Sequence, residues 1–273
     1  MLQNEVDTLA HELLSASETG QLVSVLPSTH AGFDLDRAYA VEARLRQLRE
    51  ASGHRAVGRK VGYANKAMWR VFKLETLVWA HMYEDTVRHS DNNAATLTLA
   101  HPRSLKIEPE IVFGLKRPIV SPALDAVAAL ECTDWLALGF EIIDCPFPQW
   151  QFQPSDFVAS FGLHAALVIG EKMQVRQESI VKLVDELPRF TVRMFKNGEV
   201  MEEGSGKNSL RSPALCLAEL GAAIARRSPD QPLSAGEIIS SGTLTAGHAT
   251  ASGDCWTAEV EGLALPPLTL RLN

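Results

Sequence analysis

Apolar residues recur every three or four positions at the start of the chain. Val6, Leu9, Ala10, Leu13 and Leu14 share one helical face, which predicts an amphipathic helix over residues 2–17. A second helix is predicted over residues 35–52, with Asp34 as its N-cap and Gly53 just past its end. Between them, residues 21–33 hold Pro27, Ser28, Thr29, His30 and Gly32 and read as a loop. From Val57 the texture changes to short β-type runs divided by Gly, Pro and Asn. Ser121-Pro122 and Ser212-Pro213 each pair a hydroxyl cap with proline at the first helical position, predicting helices through Leu130 and Arg227. Asn197-Gly198 predicts a type I′ hairpin, and short strands are expected over residues 237–241, 255–260 and 268–272. Strands do not alternate strictly with helices, which argues against a doubly wound parallel sheet. The expectation is an α+β chain: a helical segment over residues 1–56 and a β-rich body with inserted helices over residues 57–273, forming one unit.

The run Lys106-Ile107-Glu108-Pro109-Glu110-Ile111-Val112-Phe113 departs from an ordinary strand. Strict alternation sends Ile107, Pro109, Ile111 and Phe113 to one face and Lys106, Glu108 and Glu110 to the other. Same-face residues two apart lie roughly 6.5 to 7 Å apart at Cα. Two acids that close, within an apolar stretch, must meet solvent, protons or a cation. A solvated amphipathic strand satisfies the pattern, and so does a hard divalent metal held by oxygen ligands. The metal needs a third acid.

Composition narrows the partners. The chain has 273 residues, 46% hydrophobic and 22% charged, with a formal charge of -7. That balance is ordinary for a globular protein and unfavourable for general polyanion binding, so nucleic acid is not an expected partner. No apolar run reaches the roughly 20 residues that span a bilayer, so no membrane partner is expected. Residues 1–7 carry acids rather than a basic region followed by an apolar core, the pattern expected without a secretory signal. Cys132, Cys145, Cys216 and Cys255 form no C-x-x-C pair and no zinc-type cluster, and free thiols in a reducing cytoplasm are expected.

A third acid interrupts an apolar run at Glu141, in Leu136-Ala137-Leu138-Gly139-Phe140-Glu141-Ile142-Ile143-Asp144. Glu108, Glu110 and Glu141 could supply oxygen ligands to Mg²⁺ or Mn²⁺; pairing of Glu141 with a basic residue across the sheet fits equally well. Asp144 reads as a turn residue before Cys145-Pro146. In Gly58-Arg59-Lys60-Val61-Gly62-Tyr63, glycines flank a basic pair and could set Lys60 beside a ligand. No G-x-G-x-x-G or P-loop pattern is present.

Taken in order, Gly58-Arg59-Lys60-Val61-Gly62, Lys106-Ile107-Glu108-Pro109-Glu110, Gly139-Phe140-Glu141-Ile142 and Ser241-Gly242-Thr243-Leu244-Thr245 resemble the fumarylacetoacetate hydrolase superfamily. The closest branch is the 2-keto-4-pentenoate hydratase and 4-oxalocrotonate decarboxylase group, and the likeness runs from about Ala38 to the C-terminus. It implies a mixed β-roll core, a homo-oligomer, and Mg²⁺ or Mn²⁺ on Glu108, Glu110 and Glu141. It also implies that Lys60 lies beside the substrate, that Asp85 is an acidic catalytic position near the site, and that Thr243 belongs to a loop closing over the substrate.

Some residues depart from that pattern. Ser160-Phe161-Gly162-Leu163-His164 stands where the hydratases carry an Asp-Asn-Ala-Ser-Ser-like run, and Ala80-His81 stands where Gly-Thr is common. Ser160, His164 and His81 are therefore expected to line the substrate pocket rather than to ligate metal. Arg211 replaces a frequent glycine. Hydrolytic members activate water with a His/Glu pair on an N-terminal segment; here His30 is followed by Ala31-Gly32-Phe33-Asp34, with no glutamate. The resemblance implies a metal-dependent lyase acting on a 2-oxo or 2-hydroxydienoate acid, in first place a hydratase yielding a 4-hydroxy-2-oxo acid. Decarboxylation of a 4-oxalocrotonate-type acid, C–C hydrolysis of an acylpyruvate and binding without turnover are the alternatives, in that order.

Overall fold

The computed structural model describes residues 3–273. Its helices are α1 (Gln3–Thr19), α2 (Leu35–Ala51), α3 (Lys66–Phe72), α4 (Ala126–Glu131), α5 (Pro154–Ala159), α6 (Ile180–Glu186) and α7 (Pro213–Arg227). The strands are β1 (Ala56–Gly62), β2 (Val78–Tyr83), β3 (Val87–His89), β4 (Ala94–Leu97), β5 (Leu105–Leu115), β6 (Thr133–Asp144), β7 (His164–Ile169), β8 (Met173–Gln174), β9 (Thr191–Lys196), β10 (Glu199–Ser205), β11 (Ile238–Thr243), β12 (His248–Ala249), β13 (Cys255–Glu261) and β14 (Leu268–Leu272). No described helix is long and apolar enough to cross a membrane.

The larger sheet runs β2-β1-β11-β5-β6-β7-β3, with the short β12 pairing with β5 and β8 with β6, and a second sheet runs β10-β9-β13-β14-β4. Both are mixed: β1 with β11, β3 with β7 and β14 with β4 are parallel, and the other pairings are antiparallel. The α+β architecture expected from the sequence is the one observed. Ile107, Ile111 and Phe113 of β5 and Leu138, Phe140 and Ile142 of β6 are buried in the main core. They share it with Trp256 and Leu270 of the second sheet and Leu217 and Leu220 of α7. Alternation then commits Glu108, Glu110 and Glu141 to the opposite face.

Local chemistry accounts for the element ends, and corrects two of them. The Asp34 carboxylate caps α2 by accepting from Arg37 N, and Asn197 (φ 52) and Gly198 (φ 87) form the left-handed pair at the β9–β10 turn. The helix expected from Ser121 begins instead at Ala126. Asp125 accepts from Ala128 N and is the cap, because it stands directly before the residues that bury, Ala126, Ala129 and Leu130. Ser121 turns its hydroxyl onto Ala123 O. Ser212 precedes Pro213 as expected, but its side chain makes no capping bond, so proline alone marks that start.

The N-terminal helices are not a separate layer. Leu9 and Leu13 of α1 and Val41 and Leu45 of α2 share a buried cluster with Val78 of β2, Ile143 of β6 and Phe157 of α5. Asp156, fully buried, accepts from Ser28 N (2.6 Å) and Ser28 Oγ (2.7 Å), fastening the 21–33 loop to α5.

Candidate metal centre

Strand register assembles the site. Glu108 of β5 stands directly opposite Glu141 of β6, and Glu110 stands opposite Gly139. Each of the three offers a carboxylate oxygen, and these atoms all lie within 4.8 Å of one another. Glu141 is fully buried, Glu110 nearly so, and Glu108 keeps a fringe of exposure. Parallel pairing of β1 with β11 sets Lys60 level with Ser240, on the same face as the acids. Lys60 Nζ reaches Glu141 Oε2 at 2.8 Å and lies 5.0 Å from the centre of the Phe157 ring.

The charges are unequal, and so are their consequences. Burial opposes the charge on Lys60, but attraction to Glu141, Glu108 and Glu110 outweighs it and holds the ammonium above its ordinary pKa. Burial likewise opposes ionisation of Glu141, yet Lys60 and His164 bring its pKa below the usual carboxylate value. Glu108, pushed up by burial and by Glu141 against the opposing pull of Lys60, sits at about 7. Glu110 is raised well above the ordinary range by burial and by its two acidic neighbours, although Ser240 opposes the rise. Three acids with one ammonium in contact are thus left under-neutralised. The donors are all oxygens, with no thiol or imidazole among them, a set that fits Mg²⁺ or Mn²⁺.

Residues around the acids fix them in place. Ser240 Oγ donates to Glu110 Oε2 at 2.5 Å, and Gly242 N donates to the same oxygen at 2.8 Å. The His164 ring meets Glu141 Oε1 at 2.9 Å through Nδ1 and Thr86 Oγ1 at 3.0 Å through Nε2. Gly162, at φ 60, lets the backbone pass so close that an added Cβ would lie 2.7 Å from Lys60 Cδ. Thr243 pairs with Glu110 in the sheet register, but its hydroxyl is turned onto Thr245 O. Ser160 has a buried hydroxyl without a partner and, with His164, Phe161, Arg103 and Asp144, lines a cavity of about 20 Å³.

One expected pocket residue, His81, and one expected catalytic residue, Asp85, are not brought to this group. His81 pairs with Arg59 across β1–β2, whereas Lys60 pairs with Ala80, so His81 faces the opposite side of the sheet. There it meets Glu42 of α2 at 2.6 Å. Asp85, in the turn after β2, is held by Arg49 at 2.7 Å and His54 at 3.3 Å, and its carboxylate is directed toward α2 rather than the acids. His30 is exposed on its loop. Asp144 ends β6, where it accepts from Arg103 N and Nε and from Ser104 N. Sequence reasoning passed over Ser240, Gly242, Thr86 and Phe157. The first two adjoin or fall within the quoted 241–245 motif, but only the β1–β11–β5 register shows what they touch.

A chain with this curled mixed sheet and a three-carboxylate centre belongs to a defined class: residues 55–269 match the fumarylacetoacetate (FAA) hydrolase C-terminal family, and the protein is a member of it. Among its relatives, 2-hydroxyhexa-2,4-dienoate hydratase of Comamonas testosteroni is 28% identical over 94% of each chain. The 4-oxalocrotonate decarboxylase of Pseudomonas sp. (strain CF600) is 28% identical over 96% of each. The structure of 4-oxalocrotonate decarboxylase from Pseudomonas putida G7, complexed with magnesium and adipate, shares the fold. Its TM-score is 0.89 at 24% identity, covering 100% of this chain and 99% of that one.

Proposed function

We propose that this protein is a divalent-metal-dependent lyase that hydrates a 2-oxo or 2-hydroxydienoate acid to a 4-hydroxy-2-oxo acid. The observation that carries the reading is the convergence of Glu108, Glu110 and Glu141 within 4.8 Å beside the buried Lys60. Glu108, Glu110 and Glu141 would hold Mg²⁺ or Mn²⁺, which would supply a Lewis acid that draws electron density from the carboxylate and C2 oxygen of the substrate. Lys60, kept as an ammonium by its acidic neighbours, serves as an anion holder and proton donor rather than a base. The Phe157 ring, its centre 5.0 Å from the ammonium, gives Lys60 an apolar wall. Ser160 offers a free hydroxyl to the substrate's polar groups, and Thr243 stands at the edge beside Glu110.

A second reading, decarboxylation, has specific support. The relatives with 28% identity include a 4-oxalocrotonate decarboxylase as well as a hydratase, and each aligns over nearly the whole chain. A metal held by Glu108, Glu110 and Glu141 would supply the same charge stabilisation to decarboxylation as to hydration. C–C hydrolysis draws less support, because the exposed His30 has no glutamate partner on its loop.

The substrate is thus a small 2-oxo acid. We place the protein in the cytoplasm, a reading supported by its four unpaired cysteines, and expect a homo-oligomer, measurable by light scattering. Incubation with Mg²⁺ and either 2-hydroxypenta-2,4-dienoate or 4-oxalocrotonate separates the two reactions by product: a 4-hydroxy-2-oxo acid in one, carbon dioxide in the other. Glu108→Ala should abolish metal-dependent turnover while leaving the fold intact. Full activity in that variant rejects the assigned centre.

A further inference from the structure

Among the described residues, His164 is the one imidazole in contact with the acidic cluster, and both of its ring nitrogens are engaged within the protein. Its side chain is 2% exposed. One ring nitrogen faces Glu141 Oε1 at 2.9 Å, and the other faces Thr86 Oγ1 at 3.0 Å. Thr86 is itself anchored, donating to Tyr83 O at 2.9 Å across the turn that follows β2. The ring is therefore held at both ends between a carboxylate and a hydroxyl that belongs to a rigid turn.

The other oxygen of the same carboxylate is held by Lys60 Nζ at 2.8 Å. Glu141 is thus gripped from two sides, which fixes its plane. His164 engages one lone pair of Oε1, while Oε2, paired with the Lys60 ammonium but without an aligned hydrogen bond, keeps lone pairs for a cation. Glu108 contrasts with this, since the contacts that hold Glu141 and Glu110 have no counterpart at its carboxylate among the bonds given above.

We propose that His164 is a positioning residue: through the Thr86–His164–Glu141 chain it sets the orientation in which Glu141 receives the metal. The inference rests on the metal-centre reading and goes beyond it, assigning the ring to Glu141 instead of to substrate. It also gives Asp85 an indirect place. Asp85 is ion-paired with Arg49 of α2 and adjoins Thr86 in the chain, so that pair ties the outer end of the relay to α2.

The test is calorimetric titration of Mn²⁺ into the wild-type chain and into His164→Ala and Thr86→Val. Loss of an outer-shell partner of a metal ligand typically weakens binding about 10- to 100-fold, and that loss is expected for His164→Ala. Thr86→Val, which keeps the ring but frees its outer end, should weaken binding by a smaller factor, no more than about the 10-fold lower limit of that range. Added imidazole should recover part of the affinity of His164→Ala, a rescue that a purely structural defect would not show. Mn²⁺ binding by the folded His164→Ala variant that is unchanged or tighter overturns the proposal. If that variant does not fold, unchanged binding by Thr86→Val overturns it. Failure of the wild-type chain to bind Mn²⁺ would instead reject the metal centre itself.

Discussion

At the residue scale, the site is a place where protons and a metal compete for the same oxygens. Glu108 sits at about 7 and Glu110 is held well above the ordinary carboxylate range by burial and its acidic neighbours, so near neutrality the metal-free cluster retains protons that a cation must displace. Apparent Mn²⁺ affinity should therefore rise with pH through about 7, with protons released on binding; equal affinity at pH 6 and pH 8 would contradict the assignment. The linkage for the metal-free fold has the opposite direction. Between the ordinary carboxyl value of 4.5 and about 7, the folded chain binds more protons at Glu108 than the unfolded chain does, so its stability falls as pH rises across that window. Glu110→Gln should remove one of the repelling charges while keeping an acceptor for Ser240 and Gly242. At pH 8 the metal-free variant should melt higher than the wild type, with a gain of about 1 kcal/mol, and bind metal far more weakly. A lower melting temperature would show that Glu110 carries no such strain.

At the element scale, alternation and the Asp34 cap were legible in the sequence, whereas the Ser121 and Ser212 caps misled and strand register was not legible. The face shared by Glu108 and Glu110 follows from a period of two. Their meeting with Glu141 depends on how β5 pairs with β6, which the sequence indicated only through family likeness. On β2 the same rule worked against expectation: Ala80 and not His81 shares the Lys60 face, because the β1–β2 pairing is offset to that register. Ser240 escaped notice for the same reason, since it meets Lys60 only through a parallel pairing of distant segments. Arg211 illustrates a departure that did carry information. It adopts φ 71, a left-handed backbone suited to the glycine that its relatives' pattern led us to expect. Arg211→Gly should accordingly stabilise the fold by roughly 0.5 to 1 kcal/mol, read as a raised melting temperature with metal affinity unchanged. A destabilised variant would mean that the arginine side chain makes contacts that outweigh its backbone strain.

At the scale of the whole molecule, the helical N-terminal segment packs closely against the β-rich body. Glu42 holds His81, Tyr39 Oη accepts from Trp79 N, Arg103 donates to Ala16 O, and Phe157 belongs both to the N-terminal cluster and to the wall around Lys60. A chain reduced to residues 57–273 should expose Val78, Ile143, Phe147 and Phe157, bind apolar dyes and lose its cooperative thermal transition. Cooperative melting of that fragment would establish the body as an independent domain.

The buried Asp156 has a consequence for how the molecule is made. It lies 128 positions downstream of Ser28, so this anchor of the early loop cannot form until more than half of the polypeptide has been synthesised. A connection that distant has to wait for the intervening strands to pair. Docking of the first helices should thus be a late event in maturation, and in refolding, protection of amides around Ser28 should lag behind that of β5 and β6.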